Sequence, residues 1–380
     1  MSVSIVVAGG HSAGHIEPAL SVADALRRLE PDTVITALGT VRGLDTRLIP
    51  GRGYPLELIP PVPLPRQINS ELLSVPGRLW TAVRAAEKVL AEVQADVVVG
   101  FGGYVALPAY LAARKQKVGI VVHEANARPG ITNRVGARLT ANVLTASAGV
   151  GLAHGVPVGI PLRPEIAHLD RTLMRHRACA EFGLNPDLPV LLVTGGSQGA
   201  ESINRVIARC RPLLRSAGIQ VLHIVGPGRG ADGSLTGMSD PDSGDTGAAY
   251  RQLPFVEHME LAYAAADFVL CRSGAMTCAE LSAVGLPALY VPLPLRGGEQ
   301  RLNAEAIVRA GGGLLVSDEQ LSVEWISRTL LPCLLDPARR AGMSAAALRM
   351  ARPDADVVIA RHVLAVARNR RRVPDVKLDS

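Results

Sequence analysis

The chain has 380 residues, 48% of them hydrophobic, which suits two buried cores better than one, since single cores stop growing at about 250–300 residues. Aromatics are only 3% of the chain and the net charge is +6. The first argues against base-stacking platforms for single-stranded nucleic acid; the second points to an anionic partner, with an inert basic surface as the equal alternative. Five cysteines without a CxxC argue against a zinc ribbon and fit a reducing compartment. No signal-peptide pattern opens the chain, and no apolar run reaches the ~18 residues needed to span a bilayer.

In chain order, VSIVVAGG (3–10) reads as a buried strand, and EPALSVADALRRLE (17–30) has helical spacing through Leu20, Ala23 and Leu26. TVITALG, ADVVVGFGG and VGIVVHE are further strands, with LPAYLAARK as a helix between the last two. Short apolar strands alternating with helices predict a parallel α/β sheet. LPVLLVTGGSQGAESINRVIARC (188–210) restarts the scheme as strand, glycine turn and helix. The strands IQVLHIVG, DFVLCRSG, PALYVPLP and GLLVS follow, with the helices MELAYAAA, TCAELSAVG and EQRLNAEAIVRAG among them. Two halves on one plan predict two Rossmann-like domains with a ligand cleft between them. The boundary is expected near VPVGIPLRPEI (156–166), and the glycine-rich 226–249 reads as a mobile surface loop. DADVVIARHVLAVARN is a last helix, and the basic end ARNRRRVPDVKLDS reads as solvated.

Three loops share one pattern: AGGHSAGH (8–15), GFGGYVALP (100–108) and TGGSQGA (194–200). Each follows an apolar strand. Glycine lets the backbone approach a ligand closely, and a following helix N-terminus offers free N–H groups to an anion. A tight strand-to-helix turn needs glycine anyway, so any single loop is weak evidence. None fits GxGxxG or GxxxxGK[ST], which speaks against hydride transfer and a P-loop NTPase.

GGHSAGH, GFGGYVALP, HEAN, GIPLR, GGSQGA, CRSGAMTCAE, GLPALYVPLP and EQRLNA, in this order and spacing from about residue 3 to about residue 365, resemble the MurG family of N-acetylglucosaminyltransferases. The resemblance implies a GT-B fold, that is, two Rossmann-like parallel-sheet domains around an interdomain cleft. It implies residues 1–162 as an acceptor- and membrane-binding domain and 163–350 as the UDP-sugar domain. Residues 351–368 are then a helix packing back on the first domain, and 369–380 a basic tail. The implied reaction is inverting transfer from UDP-N-acetylglucosamine to the 4-hydroxyl of lipid I, giving lipid II, with neither metal nor cofactor. An anionic membrane surface at the cytoplasmic face of the cell membrane and other cell-wall enzymes are the implied partners, with no nucleic acid. Another GT-B lipid glycosyltransferase, a UDP-N-acetylglucosamine 2-epimerase and a non-catalytic UDP-sugar-binding protein remain alternatives.

The resemblance also implies site residues. Ser273 to Thr277 would form the turn facing the donor diphosphate, Ala275, Met276, Thr277, Cys278 and Ala279 would bind the donor, and Glu280 would accept hydrogen bonds from the ribose. Ser197 would be a second diphosphate contact and Val256 a backbone partner of uracil. Arg163, Gln300 (with Asn303) and Asn126 would contact the donor, as would Ser12, Ala13 and Gly14. On local chemistry alone these are equally a helix glutamate, a turn serine, strand packing, a surface cation and solvated amides. Gly10, Gly14, Gly102, Gly103 and Tyr104 would hold the acceptor pyrophosphate. His15, at a helix N-terminus that disfavours the imidazolium, is the candidate base; a phosphate-binding or capping histidine is the alternative. His11 reads as an extra feature of that loop, and His123 as structural. Leu73, Leu79, Trp80 and Val83, with Arg78, Arg84 and Lys88 beside them, would form a membrane patch; a core-facing amphipathic helix is the alternative. The chain departs from the family form at Ala13, where glycine is usual, at Ala125 and at Glu299.

Overall fold

The computed structural model describes residues 2–62, 74–227, 248–294 and 297–372, and of 371 and 372 only the backbone. Leu73, most of the expected 226–249 loop and the chain after 372 lie outside these residues. The chain forms two units, one of Met1–Arg163 with Arg352–Ser380 and one of Pro164–Ala351.

The first unit opens with β1 (Ser4–Ala8), α1 (Ala13–Leu29), β2 (Val34–Gly39), α2 (Asp45–Gly51) and β3 (Leu56–Leu58). It continues through α3 (Val75–Glu92), β4 (Val97–Gly100), α4 (Gly103–Lys115) and β5 (Gly119–Glu124), then α5 (Ile131–Leu139), β6 (Val143–Thr145) and β7 (Gly155–Pro157). The strands form one parallel sheet in the order β3-β2-β1-β4-β5-β6-β7. Along β1, Ile5 and Val7 enter one hydrophobic cluster while Val6 and Ala8 enter another. Successive side chains point to opposite faces and both faces are covered, which is why the run is continuously apolar.

The second unit runs α6 (Pro164–Ala167), α7 (Arg171–Glu181), β8 (Val190–Thr194), α8 (Glu201–Ser216), β9 (Gln220–Ile224) and β10 (Tyr250–Leu253). After these come α9 (Met259–Ala265), β11 (Phe268–Cys271), α10 (Ala275–Ala283), β12 (Ala288–Tyr290), α11 (Glu299–Arg309) and β13 (Gly313–Leu315). Its parallel sheet has the order β10-β9-β8-β11-β12-β13. β8 repeats the logic of β1, with Val190 and Leu192 on one face and Leu191 and Val193 on the other. The short α12 (Val323–Trp325), a π-helical turn at 326–330, α13 (Leu331–Leu335) and α14 (Pro337–Arg349) close the unit.

The last helix, α15 (Ala355–Arg372), belongs to the first unit. Ile359, Ala360, Val363 and Leu364 join the β1–α1 cluster, and Asp356 accepts a 2.6 Å bond from Arg28 of α1. Within the basic end, Arg368 and Asn369 are exposed and Arg370 is half-buried. Arg368 pairs with Glu30, and Arg370 donates to the carbonyls of Ala95 (2.6 Å) and Asp96 (3.3 Å) at the entry to β4. The Asp96 carbonyl also accepts from the Gly119 N–H at 3.0 Å, so Arg370 adds a second donor there.

Candidate functional site

In the first unit the strand order reverses between β1 and β4, which pair as far as Ala8 and Gly100. Open parallel sheets take ligands beyond the carboxyl ends of the strands at such a switch point. Two of the glycine loops leave from these ends. Ser12 precedes α1 with extended backbone (φ −123°, ψ 152°), and its carbonyl accepts from the N–H of His15 (3.0 Å) and of Ile16 (3.1 Å). Its hydroxyl does not cap the helix. Instead Oγ lies 3.0 Å from His15 Nδ1.

His15 is half-buried. Burial pushes its pKa below the ordinary imidazole value, His11 adds to the lowering and Asp45 opposes it. The other edge of the ring faces Gly102, where an added Cβ would lie 3.3 Å from both Cδ2 and Nε2. Gly102 has φ +89° and Gly103 +77°. A Cβ on Gly103 would come within 2.8 Å of the Gly10 carbonyl oxygen. The two loops therefore touch backbone to backbone, and only glycine permits this. Gly10 is buried, whereas Gly14 faces open space. The Tyr104 ring tilts against that of His11 at a centroid distance of 4.8 Å. Gly10, Ser12, Ala13, Gly14, His15, Gly102, Gly103 and Tyr104 thus stand together.

The left-handed conformation in this loop falls on His11 (φ +77°) and not on Ala13, which is simply the first residue of α1. The Cβ of Ala13 is therefore unstrained. Beneath His11 sits Asp45, at 0% exposure, which accepts from the N–H of His11 at 2.6 Å and of Thr40 at 2.7 Å. No local pattern around Asp45 marked it in the sequence.

Asn126 is organised by a second carboxylate that the sequence reading passed over. Glu124, 3% exposed, accepts at Oε1 from the Asn126 N–H (2.9 Å) and side-chain amide (3.3 Å). Its Oε2 accepts from Gly130 N–H and Asn133 Nδ2, both at 3.0 Å. His123 is fully buried, bonded through Nε2 to the Gly159 carbonyl at 2.9 Å. Burial takes its pKa down to about 4 against the opposing pull of that carbonyl. Arg163 lies 3.9 Å from Glu17 Oε2, which also faces Arg52 at 3.6 Å.

The second unit repeats the arrangement. Its switch point lies between β8 and β11, which pair as far as Thr194 and Cys271. Ser197 is exposed on the loop after β8. That loop rests on the one after β9: a Cβ on Gly226 (φ +93°) would lie 2.6 Å from the Gly199 Cα. A buried network holds the contact. Asn204 Nδ2 donates to the Val225 carbonyl at 3.0 Å, so its Oδ1 accepts from His223 Nε2–H at 3.0 Å. Nδ1 of His223 then accepts from Tyr250 OH at 2.6 Å, and burial takes the ring's pKa down to about 3.

Beyond β11, Gly274 precedes α10, and Ala275, Met276 and Thr277 form the first turn, partly exposed. Such a turn has N–H groups with no acceptor inside the helix. Cys278 is buried and burial drives its thiol pKa up, so it packs rather than attacks. Glu280, a turn further on and beside Ala279, accepts at Oε2 from Tyr263 OH at 2.7 Å. Ser273 is fully buried, and its Oγ has no hydrogen-bond partner among the described residues. Its carbonyl accepts from Asn303 at 3.3 Å, while Gln300 Oε1 accepts from the Leu293 N–H at 2.9 Å. Val256 is buried in the core of the unit.

Arg272 was missed in the sequence because its partners are remote. It donates to Asp318, to Ser202 Oγ at 2.9 Å, and to the carbonyls of Val291 (3.2 Å) and Pro292 (3.3 Å). Four segments are thereby tied behind the α10 turn.

On α3, Trp80 is 63% exposed with Arg84 stacked 4.9 Å from its ring centroid. Leu79 is half-buried, and Val83 packs against the core. Of the expected patch residues that are described, Trp80 is exposed and Leu79 and Val83 are both half-buried. No described helix is long and apolar enough to cross a membrane.

Comparison with known proteins completes the picture. Residues 5–145 match the glycosyltransferase family 28 N-terminal domain, and residues 190–359 its C-terminal domain. A protein of Thermobifida fusca is 55% identical over 99% of this chain and 97% of its own length. It is named UDP-N-acetylglucosamine--N-acetylmuramyl-(pentapeptide) pyrophosphoryl-undecaprenol N-acetylglucosamine transferase. A Streptomyces avermitilis protein of the same name is 56% identical over 93% of this chain and 95% of its own. Among solved structures, Acinetobacter baumannii MurG superposes with a TM-score of 0.74 at 25% identity, over 96% of this chain and all of that one.

Proposed function

The chain belongs to glycosyltransferase family 28, and from that premise we propose that it is the N-acetylglucosaminyltransferase of cell-wall precursor synthesis. It moves N-acetylglucosamine from UDP-N-acetylglucosamine onto N-acetylmuramyl-(pentapeptide) pyrophosphoryl-undecaprenol, lipid I, and so forms lipid II. What carries this reading is the end-to-end likeness to transferases of that name.

Chemically, the transfer breaks the anomeric C–O bond to the UDP phosphate and forms a bond to the muramyl 4-hydroxyl oxygen, with inversion. Two charges need handling: the proton leaving the hydroxyl and the negative charge gathering on UDP. In our reading the second unit takes the donor. The first-turn N–H groups of α10, at Ala275, Met276 and Thr277, and its dipole face the diphosphate, with Ser197 as a second contact. Glu280 accepts from the ribose hydroxyls, held in place by Tyr263. Gln300 and Asn126 contact the sugar, Arg163 supplies a positive charge and Val256 reads uracil through its backbone.

The first unit takes the acceptor pyrophosphate on Gly10, Gly14, Gly102, Gly103 and Tyr104. His15 is the base. Nε2 can accept the hydroxyl proton only in the tautomer with hydrogen on Nδ1, and Ser12 Oγ at 3.0 Å is placed to accept that hydrogen. The depressed pKa keeps the ring neutral and ready. Trp80, Leu79 and Arg84 rest the enzyme on an anionic membrane surface at its cytoplasmic face.

Transfer of labelled N-acetylglucosamine from the UDP sugar to a lipid I analogue, with EDTA present, tests the reading. Lipid II analogue should accumulate. No transfer alongside an active control enzyme would overturn it.

A further inference from the structure

We propose that Asp45 is a positioning residue that sets the acceptor-binding loop through His11; this rests on the transferase reading above. The carboxylate lies at the start of α2, at 0% exposure, between the ends of β1 and β2. Both of its oxygens are engaged. Oδ1 accepts from the His11 N–H at 2.6 Å, and Oδ2 accepts from the Thr40 N–H at 2.7 Å; the Thr40 hydroxyl shares its one proton between Oδ2 at 3.1 Å and the Arg42 carbonyl at 2.9 Å. A buried carboxylate must be paired or hydrogen-bonded, and an N–H donor on each oxygen satisfies this one. It is therefore not placed to move protons for the reaction. Besides its Coulombic pull on His15, its effect is on backbone shape.

That shape is demanding. His11 adopts φ +77°, an uncommon conformation for a residue other than glycine. A short charge-assisted bond to its N–H holds it there. The His11 carbonyl in turn accepts from the Leu44 N–H at 3.3 Å, so the loop is gripped from both sides by the segment around Asp45. Asp45 also crowds Gly10 and Gly39: an added Cβ would lie 3.0 Å from Oδ2 at the first and 3.1 Å from the Asp45 Cβ at the second. Held so, Gly10 meets Gly103, and the His11 ring meets Tyr104. The register of the two acceptor loops is thus set from a residue 34 positions along the chain. Asp45 grips His11 and crowds Gly10, on the loop that we assign to the acceptor pyrophosphate, so its loss should be felt mainly through the acceptor.

The experiment is steady-state kinetics of full-length Asp45→Asn, with each substrate varied in turn, alongside calorimetric titration with UDP. An asparagine can serve only one of the two N–H groups as acceptor and turns its own donors toward the other. The lipid I analogue's KM should rise about tenfold or more, with the KM for UDP-N-acetylglucosamine and the UDP affinity unchanged. Thr40→Val removes the hydroxyl shared by Asp45 and the Arg42 carbonyl and leaves the carboxylate, so a several-fold rise in acceptor KM alone is expected, and it serves if Asp45→Asn does not fold. An unchanged acceptor KM in a folded variant, or equal losses for both substrates, would overturn the inference while the transferase reading stands. No transfer by the unaltered protein would overturn both.

Discussion

Ser12 Oγ and His15 Nδ1 stand 3.0 Å apart across the first turn of α1, and this contact orients the imidazole instead of capping the helix. Replacing His15 by alanine should lower kcat roughly 10²–10⁴-fold, with the KM for UDP-N-acetylglucosamine nearly unchanged. The pH dependence follows from the depressed pKa. Only the neutral ring accepts a proton, so activity is complete above the lowered pKa and is lost as pH falls through it. The acid limb of kcat/KM should therefore lie below the ordinary 6.5 of an imidazole. A limb at or above 6.5, or a His15→Ala enzyme with full turnover, would reassign the base.

Gly102→Ala tests the space beside Nε2. The new Cβ would meet the ring at 3.3 Å and occupy φ +89°. Such strain costs about 1–3 kcal/mol. A fall in melting temperature with a larger loss of turnover is expected; wild-type kcat in the variant would show that nothing needs that space.

Glu280→Gln should weaken UDP binding about tenfold, since a carboxylate accepts hydroxyl bonds more strongly than an amide. Tyr263→Phe removes the 2.7 Å bond that holds the carboxylate and should give a smaller loss in the same direction. Calorimetry with UDP reads both, and unchanged affinity in Glu280→Gln would remove it from the donor site.

His123 and His223 make the fold acid-sensitive. Their folded pKa values, about 4 and about 3, lie below the ordinary 6.5 because both rings are buried. Below 6.5 the unfolded chain binds more protons than the folded one. Their contribution is thus complete above 6.5 and drains away as pH falls toward 4 and then 3. The melting temperature should drop steadily between pH 6.5 and 4, and a flat profile across that range would contradict these two values.

Trp80→Glu combined with Leu79→Glu should reduce co-sedimentation with anionic vesicles several-fold and leave transfer to a water-soluble acceptor analogue intact. Unchanged co-sedimentation would sink the membrane assignment.

Much of the fold is readable from residue order alone. SIVVA and VLLVT are apolar at every position, so no face can be left to water, and only a parallel sheet covered on both sides accommodates them. Glycines at strand ends mark where the backbone must bend or approach closely. The strands that escaped are the three-residue β3, β6 and β7 and the four-residue β10, and β7 is exposed throughout.

Side-chain partnerships are another matter. Local sequence determines which face of an element is apolar and where a turn must fall, because those depend on neighbours one to four positions away. It does not determine that Asp45 meets His11 or that Arg272 reaches Asp318 46 residues along. Those meetings arise when parallel crossovers bring distant strand ends to one edge of the sheet. Buried carboxylates and guanidinium groups must then find donors and acceptors wherever the chain has delivered them. The glycine loops and His15 were legible in the sequence; the charges that hold them in shape were decided by the tertiary structure.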